Sequence, residues 1–201
     1  MAWAAVAMLL AAAAPAAPDR YVPAGWTLGD DTDFYENWFG SQLRAMNEPV
    51  LSAPGSLYGF RRRFRMLVLP TFHHAYAVRV DERRDGGVDV RAVRLSGRGG
   101  YDPGTILEQE SYAPDRRAIS RLYRAIARAK LDSLAREESA DNRDGVITVC
   151  ADGVDFVFER VDEDGSLFVN QGCGASGRIW ALVDAADALR RKVGSDLDKY
   201  R

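Results

Sequence analysis

Few side chains in this chain could do chemistry, and their spacing limits what that chemistry could be. His73 and His74 are the only histidines. They fall in a stretch where Phe72, His74, Tyr76, Val78 and Val80 would share one face of a strand. His73, Ala75, Ala77, Arg79 and Asp81 would share the other. Adjacent residues in a strand point to opposite faces, so the two imidazoles cannot grip one metal ion unless the strand breaks there; with no free cysteine and no second histidine pair, no metal site is expected. His74, on the apolar face, reads as a core histidine bonded to a backbone carbonyl. His73, beside Arg79 on the polar face, is the candidate acid or base, with a carboxylate partner that the sequence does not locate.

A second constellation is basic. Ten arginines lie between Leu57 and Tyr101 against four acids, so this stretch carries +6 and the rest of the chain −8. Within it, Gly97-Arg98-Gly99-Gly100 could expose successive amides beside a guanidinium, as anion-binding concavities do. The Gly-Lys-Ser/Thr ending of a nucleotide-binding loop is missing, and no cofactor is indicated. If the strands form a meander, Arg79, Arg91, Arg94 and Arg98 could converge with Gly99 and Gly100 on a phosphate or carboxylate ligand. The competing reading is a long turn beside arginines paired across strands with Glu108 and Glu110, each pair contributing ~0–1 kcal/mol. Arginine outnumbers lysine 24 to 3 along the whole chain, which favours that plainer reading.

Met1 to Ala17 holds no charged side chain, and an unbroken apolar run from Ala4 to Ala14 leads into Pro15-Ala16-Ala17-Pro18. A short apolar core followed by small residues has the shape of a secretory signal peptide cut after Ala16 or Ala17. It is shorter than the ~20 residues that cross a bilayer, so no transmembrane segment is expected in the mature chain. Periplasmic or secreted location follows as an expectation. In an oxidising compartment Cys150 and Cys173, the only cysteines, would form a disulfide. Closing that loop stabilises a fold by about 3 kcal/mol in the chain-entropy model.

The elements that must position these residues are legible from periodicity. Asp31 to Met46 spaces Phe34, Trp38, Leu43 and Met46 as an amphipathic helix, with Asp31 or Thr32 as N-cap. Phe64–Leu69, Phe72–Asp81, Val88–Leu95 and Ile106–Tyr112 read as four strands, with a turn at Asp85-Gly86-Gly87. Pro114 and Asp115 open a helix with Ile119, Leu122, Tyr123, Ile126 and Leu134 on its stripe, while Arg116, Arg117, Arg121, Arg124 and Arg128 lie off it. Val146–Cys150, Val154–Arg160 and Ser166–Asn170 suggest a second strand run. A last helix from Ser176 carries Ile179, Leu182, Val183, Ala186, Leu189 and Val193, with Gly194 as its stop. Strands grouped in runs predict an α+β fold: an antiparallel sheet packed with two or three helices.

Phe64-Arg-Met-Leu-Val-Leu-Pro-Thr-Phe-His73, Ala77-Val-Arg-Val80 and Arg94-Leu-Ser-Gly-Arg-Gly-Gly-Tyr-Asp-Pro-Gly104 resemble an uncharacterised group of small exported bacterial proteins, as does Leu43-Arg-Ala-Met-Asn-Glu-Pro49. The resemblance spans about residues 43–106. It implies export and brings no assigned activity or catalytic residue.

At 201 residues, 47% apolar and 28% charged, with net charge −2, the chain suits one globular domain with extensions. We expect a signal peptide over residues 1–17, an arm with one helix and a linker over 18–56, a single α+β domain over 57–195 and a polar tail over 196–201. Neither the net charge nor the expected export points to nucleic acid. Two functions are carried forward: a non-catalytic binding or accessory protein of the cell envelope, partnered by an anionic ligand or envelope protein, and a small hydrolase or transferase using His73.

Overall fold

Runs of β-branched and aromatic residues broken by Gly and Pro dictate the strands, and a computed structural model places them in one sheet. It describes residues 20–23, 32–53, 55–100, 102–135, 152–172 and 175–200. The leader, the Asp31 cap, the strand expected over Val146–Cys150 and both cysteines lie outside the described residues. β1 (Phe60–Pro70), β2 (Tyr76–Arg83), β3 (Val88–Leu95) and β4 (Ile106–Tyr112) form a meander. β5 (Val154–Asp162) and β6 (Gly165–Gln171) then extend the sheet on the far side of β1, giving the order β4-β3-β2-β1-β5-β6 with all neighbours antiparallel. The β2–β3 turn uses Gly86 at φ +84°, where an L side chain would be strained.

Being central, β1 buries both of its faces. Phe64, Met66 and Val68, with Tyr76, Val78, Val90, Ala92, Phe156 and Phe158, pack under two helices of the C-terminal half. The other face carries Leu67, Leu69, Ala77, Val93, Leu95, Val157 and Phe168 and is covered by the N-terminal arm. The arm helix starts as α1 (Thr32–Tyr35), widens to a π-turn over Glu36–Gly40 and continues as α2 (Ser41–Ala45). Phe39, Leu43 and Met46 are fully buried against the sheet. Gly40 leaves room for the Glu36 carboxylate, which accepts the Tyr21 and Val22 amides at 2.8 and 2.9 Å and so ties the incoming chain to the helix. The arm is therefore a third layer of the molecule.

α3 (Arg116–Ala129) is opened by Asp115, whose side chain accepts the Ala118 amide at 2.8 Å. Pro114 precedes the cap and lies outside the first helical turn where it was expected. α4 (Gly177–Asp187) packs beside α3. Several boundaries differ from the sequence reading: β1 begins at Phe60, four residues early, and α3 ends at Ala129, where Lys130 takes φ +53°, short of the Leu134 expected on its stripe. β2 begins at Tyr76, because Thr71–Ala75 turn the chain between β1 and β2. α4 ends at Asp187, whose carboxylate is held by the Tyr76 hydroxyl and by Arg190, so Leu189 and Val193 reach the core from a loop. The expected polar tail is packed: Leu197–Tyr200 forms a 3₁₀ turn, and Leu197 is 1% exposed.

Candidate functional site

The β1–β2 turn places both histidines at one end of the sheet. His74, half-buried in the turn, donates through Nδ1 to the Gly97 carbonyl at 3.0 Å, so the expected backbone bond is made from a turn and not from the apolar face of a strand. His73 Nδ1 meets the Tyr200 hydroxyl at 2.6 Å, with the two rings edge to face. Because Thr71–Ala75 are a turn, strand alternation does not govern these residues. His73 and Arg79 therefore do not share a face: His73 packs on the C-terminal turn, while Arg79 points into the arm layer.

The glycine loop is built as a structural excursion. The Gly99 amide donates to the His73 carbonyl at 2.7 Å and the Gly100 amide to the Thr71 carbonyl at 3.3 Å. A Cβ on Gly99 would stand 2.6 Å from the Pro70 carbonyl oxygen, so glycine is required for close approach. Trp38 Nε1 and Gln42 Nε2 donate to the Gly99 carbonyl at 2.8 and 3.3 Å, so the loop anchors the arm helix. Its amides are spent on backbone carbonyls and are not turned toward an anion.

Nor do the candidate arginines converge. Arg79 and Arg91 are directly opposed on β2 and β3 and face the arm. Arg94 is on the opposite face, where Asp196 accepts from it at 2.8 Å and Glu108 lies at 3.8 Å. Arg98 is exposed in the loop, in a bridge with Asp102. Pairing of Arg94 with Glu108 is the cross-strand alternative raised above. Glu110 instead pairs with Arg191, at 3.6 Å.

Sequence reasoning missed the carboxylate that organises the arm-side face. Glu48, from the arm, is buried against three arginines on three adjacent strands. It accepts from Arg65 Nη1 at 3.2 Å, from Arg79 Nη1 at 2.7 Å and from Arg91 Nη1. Arg65, fully buried, also donates through Nε to Glu159 at 2.6 Å and through Nη1 to the Pro49 carbonyl at 2.7 Å. Asp81 completes the cluster with Arg63 at 2.8 Å and Arg79 at 2.9 Å. Four guanidiniums face three carboxylates in a water-poor layer. Burial pushes the Glu48 carboxyl up, but Arg65, Arg79 and Arg91 overcome it and hold the group below its ordinary range. One signal was available: Arg63 and Arg65 alternate onto the same face as Leu67 and Leu69. A face bearing two leucines is a covered face, and an arginine on it requires a carboxylate.

Asp155 was also missed. It is buried on β5 with Asn170 Nδ2 donating to it at 3.4 Å, and burial, against that bond, raises it to about 6. No protein-family model matches the chain, and comparison with curated proteins finds no match.

Proposed function

We infer that this protein is exported and serves as a non-catalytic binding or accessory protein of the cell envelope. The observation that carries the reading is the environment of His73. Its Nδ1 is engaged by the Tyr200 phenol, an arrangement that fixes the ring against the C-terminal turn, where an acid–base dyad would place a carboxylate. The arginines that might have gripped a substrate carboxylate or phosphate, Arg79, Arg91 and Arg94, are occupied by Glu48, Asp81 and Asp196. Chemistry-bearing side chains on the sheet thus hold layers together, and what the fold offers to other molecules is its outer surface. No helix among the described residues is long and apolar enough to cross a membrane.

The test is fractionation of the full-length chain expressed with a C-terminal epitope, followed by mass spectrometry without reduction. Export predicts periplasmic or secreted material cleaved after Ala16 or Ala17, with Cys150 linked to Cys173 and the mass lower by two hydrogens. Uncleaved cytosolic chain with two alkylatable thiols would refute it.

A further inference from the structure

We propose that the outer face of α3 is a docking surface for an anionic phospholipid bilayer. The proposal rests on the reading of the protein as a binding protein of the envelope and names its partner. The residues from Arg116 to Leu131 include five arginines and Lys130 but no Asp or Glu. Arg117, Arg121, Arg124 and Arg128 recur at intervals of four, three and four, which puts them in one stripe about 17 Å long on a helix rising 1.5 Å per residue. All four are exposed, as is Arg116. The opposite side of the helix is sealed: Ile119, Leu122, Ala125 and Ala129 are buried against the sheet and α4.

These arginines are treated differently from those of the sheet. Arg63, Arg65, Arg79, Arg91, Arg94 and Arg160 each have a carboxylate within ion-pair distance, and so do the exposed Arg61, Arg83 and Arg84. Among the described residues, no carboxylate pairs with Arg116, Arg117, Arg121, Arg124 or Arg128. Among the described residues, the nearby acids are already committed: Asp115 caps the helix, Asp132 accepts from Arg160 at 3.1 Å, and Glu82 accepts from the Tyr123 hydroxyl at 2.9 Å. Like charges three and four residues apart repel, so the stripe costs the free protein stability and would be relieved by a partner of opposite charge.

The orientation of the helix selects the mode of contact. The apolar side of α3 is turned inward, so it cannot insert into a membrane as an interfacial helix does, and it presents only its charged side. Its charge spreads sideways, since the Arg62 guanidinium lies over the Tyr123 ring at 5.4 Å on the flank of the helix. An area of exposed guanidiniums matches a plane of phosphodiester headgroups, each a two-oxygen acceptor for a planar donor.

The experiment is co-sedimentation of the purified full chain with vesicles of phosphatidylglycerol and phosphatidylcholine in equal parts, and with vesicles of phosphatidylcholine alone. The protein should sediment only with the anionic vesicles and be released at high salt. Changing Arg117, Arg121, Arg124 and Arg128 together to Gln should weaken partition roughly fivefold per arginine, a hundredfold or more in all. That variant should melt no lower than the parent, because repulsion has been removed, which separates lost binding from lost folding. An Arg98→Gln variant should bind as the parent does. Failure to bind anionic vesicles, or equal binding by the quadruple variant, would overturn the proposal. Retention on heparin without vesicle binding would overturn the bilayer assignment and point to a soluble polyanion. The vesicle result does not depend on where the chain is found in the cell, so its failure is distinct from a failure of export.

Discussion

Replacing Glu48 with Gln tests whether the arm is held to the sheet by a buried charge. The change preserves shape and one hydrogen-bonding oxygen but removes a carboxylate that accepts from Arg65, Arg79 and Arg91. Three carboxylates against four guanidiniums become two against four, so the local excess rises from one positive charge to two. Arg65 keeps Glu159 and Arg79 keeps Asp81, which prevents complete isolation of either. Removing one member of a buried ionic group costs about 3–5 kcal/mol. At ~2–4 °C per kcal/mol for a chain of this size, the melting temperature should fall by roughly 6–20 °C. The assay is urea and thermal unfolding followed by circular dichroism, with Glu163→Gln as comparison. Glu163 faces Arg84 at 3.4 Å with both side chains largely exposed, so its loss should stay within about 0.5 kcal/mol. The pH dependence has a definite sign. The folded-state pKa of Glu48 is depressed, so its contribution is present above the unfolded value near 4.5 and is lost as pH falls through the lower folded value. The gap between parent and variant should therefore narrow in acid. A loss below ~1 kcal/mol at neutral pH, or a gap that widens in acid, would refute the argument.

Asp155→Asn should act in the opposite direction. With the folded value near 6 against an ordinary 3.8, Asp155 favours folding while protonated, and that contribution is lost as pH rises through 6. The variant should gain up to about 3 kcal/mol at pH 8 and little at acid pH; equal stability at pH 8 in urea titrations would contradict the assignment. Leu197→Ala should cost about 2–5 kcal/mol, because Leu197 is sealed beneath the C-terminal turn. A loss of a few tenths in the same titration would mean that the turn does not pack on the body of the protein.

How much was legible depends on whether the deciding interaction is local. β3 and β4 appear over Val88–Leu95 and Ile106–Tyr112 as the alternation foretold, because a period of two and flanking turn residues are properties of adjacent residues. The face of the arm helix was readable in part: Leu43 and Met46 of the expected stripe are buried against the sheet, while Phe34 at its start stays exposed. Failures occur where distant chain decides. Phe72 to Ala75 alternate like strand residues, yet the Gly99 and Gly100 amides, two dozen residues away, bond to their carbonyl neighbours and hold a turn. Tyr200 and Leu197 sit in a sequence rich in charge, and only their packing against the helical core and, for Tyr200, against His73 explains the burial of Leu197 and the partial burial of Tyr200. Glu48 follows a helix and precedes a proline, the local dress of a solvated acid. Its partners come from three strands, so nothing within several residues of it could announce the role.

The same logic explains why the basic stretch of the sequence was a poor guide to the binding surface. Charge counted along a chain says nothing about which side of an element it occupies. In β1, β2 and β3 the arginines on the covered face pair with Glu48 of the arm or with Asp81 and Glu159 of the sheet itself, so most of their charge is neutralised inside the molecule. On α3 the 3.6-residue repeat sorts residues more strictly. Every position of the inward stripe is apolar, so every arginine is expelled to the outer face, where the helix supplies no acid to neutralise it. Outward electrostatics in this architecture therefore belongs to the helical layer. A variant that reverses charge on β2 or β3 should be read as a folding defect before it is read as a binding defect.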